Sequence, residues 1–399
     1  MQPQLFFGFA LSLAVSDPVP SSRRFWTSGA IRLALVCLNL SGAVVTARAV
    51  TSAEADTIFE AHSKAFYAEK DGRAWFREST EGGKVSYWMR AEQMEMVLDV
   101  FERTKNPQQL EMFTKLFHGF LADHGRSWAH NEFNDDIMWM VIACTRAHLL
   151  GGNKEFLDVA KENFDLCYAR AISPELGGGL WWKTNNQSKN ACVNGPGAIA
   201  AFLLGKATGD AAYSAKAKEL FLWEKATLFD AATGRISDSI NIRGRVHRMA
   251  LTYNQGTFVG AAHLLGFHAE AKLAATFTMN ELCKDGYLPG GNEKGDGGGF
   301  NGIGVRWIAR FMRDQKEQAA FEPWLQKNAD AAWQARRASD NLCWNRWPQP
   351  TPDGTRFSWG CSSAVVMLQV ALPPASTSAP TPTSAPEPAK TEAPKETPK

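Results

Sequence analysis

The chain is built on a recurring unit: a stretch with apolar residues spaced by threes and fours, a short polar turn, a second such stretch, and then a long loop rich in Gly, Trp and Asn. The short turns are Arg103-Thr104-Lys105-Asn106, Leu150-Gly151-Gly152-Asn153, Thr208-Gly209-Asp210 and Gly266-Phe267-His268. Asn106 to Asn153 spans 47 positions, Asn153 to Asp210 spans 57 and Asp210 to His268 spans 58, each the size of one helical hairpin plus a long loop. Helical spacing is clearest over Glu92–Glu102, Asp136–Leu149, Lys154–Cys167, Gly197–Leu204, Tyr213–Trp223, Gln255–Leu265 and Ala271–Cys283, and no segment of comparable length alternates as a strand does. Such hairpins either close into a ring or run as an open solenoid. Helix interiors rich in Ala and Gly favour close inner packing, so the expectation is all-α, an (α/α)6 barrel of helical hairpins forming a single domain over residues 50–372. A ring puts the short turns on one face and the long loops on the other, where function belongs.

The two ends are not read as fold. Residues 1–49 look like an export segment: Arg23, Arg24 and Arg32 precede an apolar run from Leu33 to Val45, and Ala47-Arg48-Ala49 supplies a small-x-small cleavage pattern, with cleavage expected after Ala49. That run falls short of the roughly 20 residues of a spanning helix. A second apolar stretch, Leu5 to Val15, points to an upstream extension or an atypical signal, and Arg23-Arg24 only loosely resembles a twin-arginine signal. Residues 373–399 contain Pro, Ala, Thr, Ser, Glu and Lys with no large apolar residue, and are expected to be a disordered tail, either a tether or plain solvated chain. The expected product is an exported monomer, periplasmic, secreted or at the cell surface, with no stable membrane insertion after processing. The six cysteines beyond the export segment are widely spaced and suggest no zinc site.

With 43 Lys and Arg against 41 Asp and Glu, the chain lacks the basic excess of a nucleic-acid binder. Its 14 tryptophans against 6 tyrosines fit either a large core or a groove that stacks flat apolar ligand faces.

The strongest local signal is the segment from His130 to Met140, where Asn134, Asp135 and Asp136 stand at the passage from a polar loop into an apolar helix. One reading is capping by Asn134 or Asp135. A single Asp suffices to cap, however, and a second beside it costs like-charge repulsion unless one carboxyl is to be protonated and its neighbour ionised, as in a glycosidase pair. Spacing alone leaves both open. One loop later come Gly177-Gly178-Gly179-Leu180-Trp181-Trp182 and then Asn190 and Asn194 ahead of Pro196. Glycines allow close backbone approach, tryptophans offer faces to sugar C–H groups, and the amides can serve hydroxyls; a structured turn with core Trp is the alternative. Tyr253, Asn254 and Gln255 form a neutral hydrogen-bonding cluster suited to a polyhydroxylated ligand, with Asp238 as a further carboxylate. Gly297 to Gly302 matches G-x-G-x-x-G, but no strand precedes it, so a dinucleotide site is set aside. Nothing calls for a metal or cofactor.

In order, these motifs resemble glycoside hydrolase family 76, the α-1,6-mannanases. The resemblance runs from Tyr87-Trp88-Met89-Arg90 to Ser363-Ala364-Val365-Val366 and rests on five matches: Asp135-Asp136-Ile137-Met138-Trp139, Gly178 to Trp182, Asn190 to Pro196, Thr208-Gly209-Asp210 and Thr252 to Gly256. It implies an (α/α)6 barrel and retaining hydrolysis of α-1,6-mannosidic bonds inside a mannan chain, with Asp135 as nucleophile and Asp136 as general acid/base. The substrate-binding set is then Asn134, Trp139, Trp181, Trp182, Asn190, Asn194, Asp238, Tyr253, Asn254 and Gln255, and the partner is a mannose-containing polysaccharide. Two departures, Met140 where the family often has Trp and Asn301 where it has Lys, bear on subsite preference. A transglycosylase acting on wall glycans, a silent glycan-binding surface protein and a sugar epimerase are the rival readings.

Overall fold

The computed structural model describes residues 48–374. The export segment and the tail, apart from Arg48, Ala49, Pro373 and Pro374, lie outside the described residues.

Among the described residues twelve α-helices form six antiparallel pairs. The inner ring consists of α2 (Tyr87–Thr104), α4 (Asn134–Gly151), α6 (Ala191–Thr208), α8 (Thr252–Leu264), α10 (Phe300–Asp314) and α12 (Ser358–Val370). Each packs on the next, and α12 packs back on α2, so the ring closes. Outside it lie α1 (Ser52–Phe66), α3 (Gln108–His124), α5 (Lys154–Ala171), α7 (Ala211–Thr227), α9 (His268–Phe277) and α11 (Gln318–Ala335). The protein is an (α/α)6 barrel. Its sixth hairpin joins the two ends of the domain: α1 packs on α12, and the Gln369 side chain donates to the Ala55 carbonyl at 2.7 Å.

Inner helices are buried on nearly every side, as a helix surrounded by others must be, whereas outer helices bury one stripe. The small residues of the inner ring have a packing cause. A Cβ on Gly256 of α8 would stand 2.4 Å from the Cα of Gly304 on α10, so the two backbones touch only because both positions lack side chains. Hairpin turns are set locally. Lys105, Gly152, Gly209 and Gly266 take positive φ at the helix ends, and Asn153 and Asp210 cap α5 and α7 by accepting from the N–H of Glu155 and Ala212.

The centre of the ring is ionic as well as apolar. Glu92, Glu95, Asp99 and Glu102 recur along α2 and meet Arg146 of α4 and Arg306 of α10, with Arg306 at 2.6 Å from Glu92 and 2.7 Å from Asp99, and Arg146 at 3.0 Å from Glu95. Removing either arginine would leave buried carboxylates uncompensated.

Three differences from the sequence expectation stand out. The spacing over Ala271–Cys283 overruns α9, which ends at Phe277 and passes into one wider turn, Thr278–Leu282. Helices α1, α3, α10, α11 and α12 lie outside the segments whose spacing is clearly helical. The long loops carry small sheets: β1 (Tyr67–Lys70) pairs with β2 (Arg73–Phe76), and β3 (Ser188–Asn190), β4 (Ser239–Asn241) and β5 (Val246–His247) form an antiparallel three-stranded sheet.

Candidate active site

The N-terminal ends of α2, α4, α6, α8 and α10 converge on the long-loop face around a cavity of about 380 Å³. Asp135 and Asp136 occupy the first turn of α4. The N-cap is Phe133 and no side chain caps the helix, so the capping reading of Asn134 or Asp135 is corrected: both carboxylates of the pair line the cavity. Their position at a helix N-terminus favours negative charge.

Each carboxylate is held differently. Oδ2 of Asp136 accepts from the Asn131 amide at 2.9 Å. Oδ2 of Asp135 accepts from the Cys192 thiol on α6 at 3.3 Å, and its Oδ1 has no hydrogen-bond partner among the described residues. Burial, reinforced by the adjacent Asp136 charge, pushes Asp135 up to about 8, against the hydrogen bond from Cys192. Burial likewise pushes Asp136 up to about 6, with the Asp296 charge adding and the Asn131 hydrogen bond opposing. The two titrate as a pair, and near neutrality the pair holds one proton.

Aromatic rings form the rest of the wall. Tyr253 and Phe300 stack at 3.9 Å between centroids, Trp139 stands 6.3 Å from both Trp88 and Tyr253, and Phe133 packs on Trp182 at 5.4 Å. Trp359 backs Trp88 edge-on at 4.9 Å. Asn190 and Asp238 supply polar groups; Asp238 accepts from the Asn254 amide at 3.3 Å and from the Ser239 hydroxyl at 3.0 Å. An ionisable pair facing apolar rings and a few amides can do acid–base and nucleophilic chemistry on a polyhydroxylated ligand. Among the described residues no three His, Cys, Asp or Glu side chains are arranged to hold a metal.

Of the residues singled out by sequence, the structure brings Asp135, Asp136, Trp139, Trp182, Asn190, Asp238 and Tyr253 to this cavity. Asn134, Trp181, Asn194, Asn254 and Gln255 are buried behind it, a correction to the sequence reading: the amides of Asn134, Asn194 and Gln255 serve backbone groups, Asn254 serves Asp238, and Trp181 packs under Lys189. Asn134 donates to the Trp181 carbonyl and accepts from Arg170. Asn194 takes the N–H of Leu180 at 2.7 Å and donates to the carbonyls of Leu180 and Asn190. Gln255 binds the N–H of Ile236 and the carbonyls of Gly234 and Ala274, Asn254 holds Asp238, and Trp181 lies under the buried Lys189 ammonium at 4.6 Å.

The triple glycine is also structural: a Cβ on Gly179, at φ +78°, would lie 2.4 Å from the Trp223 ring. Asn301 clamps Pro289 and Thr252 from a buried position and does not line the cleft. Sequence reasoning missed Trp88, Phe133, Cys192, Asp296 and Phe300. All but Asp296 lie within quoted motifs, and Asp296 immediately precedes the glycine segment set aside as a nucleotide loop.

An (α/α)6 barrel with a paired carboxylate in an aromatic cleft at its loop face defines a glycoside hydrolase. The chain matches the model of glycosyl hydrolase family 76 over residues 50–382, and it belongs to that family. It is similar to the α-1,6-mannanase of Salegentibacter sp. HEL1_6, with 29% identity over 80% of this chain and 98% of that one and a TM-score of 0.73. An inactive variant of that mannanase, with two aspartates changed to asparagine and in complex with α-1,6-mannotriose, matches at 28% identity, 80% and 98% coverage and a TM-score of 0.74. The fold is shared with Dfg5 from Chaetomium thermophilum in complex with glucosamine, at 17% identity, 82% and 94% coverage and a TM-score of 0.70. The comparison with curated proteins finds no match.

Proposed function

We propose that the protein is a retaining endo-α-1,6-mannanase working by double displacement through Asp135 and Asp136. The observation that carries this reading is the coupled carboxyl pair opening into an aromatic cavity. The inactive, mannotriose-bound state of the Salegentibacter enzyme, which lacks two aspartates, supports it.

Asp135 attacks the anomeric carbon while Asp136 protonates the departing glycosidic oxygen. Water then releases the glycosyl ester as Asp136 takes its proton back. At rest the deeper burial of Asp135 draws the shared proton toward it. Attack requires that proton on Asp136, so binding of the sugar has to shift it within the pair. Trp88, Trp139, Trp182 and Phe300 offer apolar faces to the sugar C–H groups, while Asn190 and Asp238 meet hydroxyls. Export by the segment 1–49 completes the proposal, placing the enzyme where polysaccharide is found. What supports a cut after Ala49 is the sequence pattern Ala47-Arg48-Ala49, with buried Val50 and the capping box between Thr51 and Glu54 following it.

The test is incubation with linear α-1,6-mannan, with product size and anomeric configuration followed by NMR. Internal cleavage with first-formed α-anomer supports the proposal, and β-anomer sinks retention. Asp135→Asn should abolish turnover, and Asp136→Asn should lower kcat about 10²–10⁴-fold. A transglycosylase would instead lengthen an added mannoside acceptor.

A further inference from the structure

The β4–β5 hairpin carries a charge cluster that the carboxyl pair does not use. From Asn241 to Met249 it contains Arg243, Arg245, His247 and Arg248 and no acidic residue, although the whole chain is nearly balanced at +2. All four side chains are exposed. Among the described residues, none of the three arginines has a side-chain hydrogen bond or ion pair; Arg243 and Arg245 are held only through their backbone.

That backbone is well fixed. Oδ1 of Asn241 accepts from the N–H of Arg243 and of Arg245, both at 3.0 Å, Gly244 turns the chain at φ +77°, and the Ile242 N–H donates to the Gln187 carbonyl at 2.9 Å. The root of the hairpin is the cavity wall itself. Asn190 pairs with Ser239 across β3 and β4, Ser239 pairs with His247 across β4 and β5, and the Asp238 N–H donates to the His247 carbonyl at 2.9 Å. Three unpaired guanidinium groups therefore stand on a rigid extension of the wall that holds Asn190 and Asp238.

A neutral mannan offers these groups no counter-charge. We propose that the hairpin binds an anionic substituent, a phosphate or carboxylate, carried on sugar units flanking the bond in the cleft. This rests on the reading of the cleft as a glycan site. Guanidinium forks match such oxyanions in bidentate geometry. Continuity with the cavity wall favours a substituted glycan over a membrane, for which the hairpin presents only Ile242 and Met249 as exposed large apolar side chains.

The experiment compares α-1,6-mannan with the same backbone bearing phosphodiester-linked mannose, using the wild type and a triple variant, Arg243→Ser, Arg245→Ser and Arg248→Ser, whose folding is checked by thermal melting. The expected result is a roughly tenfold higher kcat/KM on the phosphorylated polymer at low salt, erased at high salt and in the triple variant, with the rate on neutral mannan unchanged. Equal preference in wild type and variant overturns the proposal. So does a variant that loses only its binding to phosphatidylglycerol vesicles, which would make the hairpin a membrane contact. Affinity electrophoresis of Asp135→Asn protein through phosphorylated and neutral mannan gives the same discrimination without turnover. A wild type that binds the phosphorylated polymer selectively yet cleaves neither mannan would sink the hydrolase mechanism and leave the anion site standing.

Discussion

The thiol of Cys192 on α6 donates to Oδ2 of Asp135 on α4 at 3.3 Å, so the carboxylate assigned as nucleophile is held from a neighbouring inner helix. A thiol is a weak donor, but this one faces a buried carboxylate, and its hydrogen bond favours the ionised form. Cys192→Ala removes that help. Asp135 should then hold its proton to higher pH, moving the alkaline limb of the activity profile upward by about half a pH unit, the equivalent of a hydrogen bond of about 0.7 kcal/mol. An alkaline limb that stays in place in this variant, measured as kcat/KM against pH, removes Cys192 from the machinery.

The profile itself should be bell-shaped. Double displacement needs one carboxyl protonated and one ionised, and the pair is pushed up to about 6 and about 8. Below about 6 both are protonated and the nucleophile is lost; above about 8 both are ionised and the acid is lost. The maximum in kcat/KM is expected between these limits. An enzyme most active near pH 4 would show that the pair titrates as ordinary exposed aspartates.

Much of this arrangement was legible in the sequence, for a physical reason. Helical hairpins with short turns leave a periodic trace, and a carboxyl pair running into an apolar helix is conspicuous wherever it stands. What spacing could not show was which side of a motif faces the cavity. Asn190 and Asn194 sit four apart, but Asn190 ends β3 as the extended residue ahead of α6 and borders the cavity, while Asn194 lies inside α6 and is turned into the wall, where Leu180 needs partners for both its backbone groups. Trp181 and Trp182 divide in the same way, Trp182 lining the cavity while Trp181 is buried under Lys189. Asp296 and Phe300 are passed over because their glycine-rich segment is weighed in sequence only as a dinucleotide loop, although Trp359 fixes it by donating to the Asp296 carbonyl at 3.0 Å.

Catalytic charge should cost this protein stability. Asp135 is raised in the folded state, from an ordinary value of 3.8 to about 8, so between those values the unfolded chain has released a proton that the folded chain still holds. Fewer protons on the unfolded state means that stability falls as pH rises through this window. Asp135→Asn has no such penalty. It should melt higher than the wild type at pH 7, by a few degrees for a gain of about 1–3 kcal/mol, with the difference vanishing near pH 4. Calorimetry at the two pH values checks the sign, and a variant less stable at neutral pH would contradict the raised value.

The division between Asn190 and Asn194 gives the sharpest separation of structure from function. Asn194→Ala leaves the buried N–H and C=O of Leu180 without their partners, which should cost about 2–4 kcal/mol of stability. Its effect on the cleft comes only through the loop that Leu180 anchors, so kcat/KM in the folded fraction should change little. Asn190 borders the cavity, and its Oδ1 accepts from the Ser188 hydroxyl at 2.7 Å, which leaves the amide N–H groups for a ligand. Asn190→Ala should therefore fold nearly as well as the wild type while losing up to about tenfold in kcat/KM, the worth of one hydrogen bond to the substrate. Melting curves and steady-state kinetics on the two variants should show opposite patterns. If Asn194→Ala melts as the wild type does, or Asn190→Ala cleaves mannan at full rate, the assignment of the two amides is wrong.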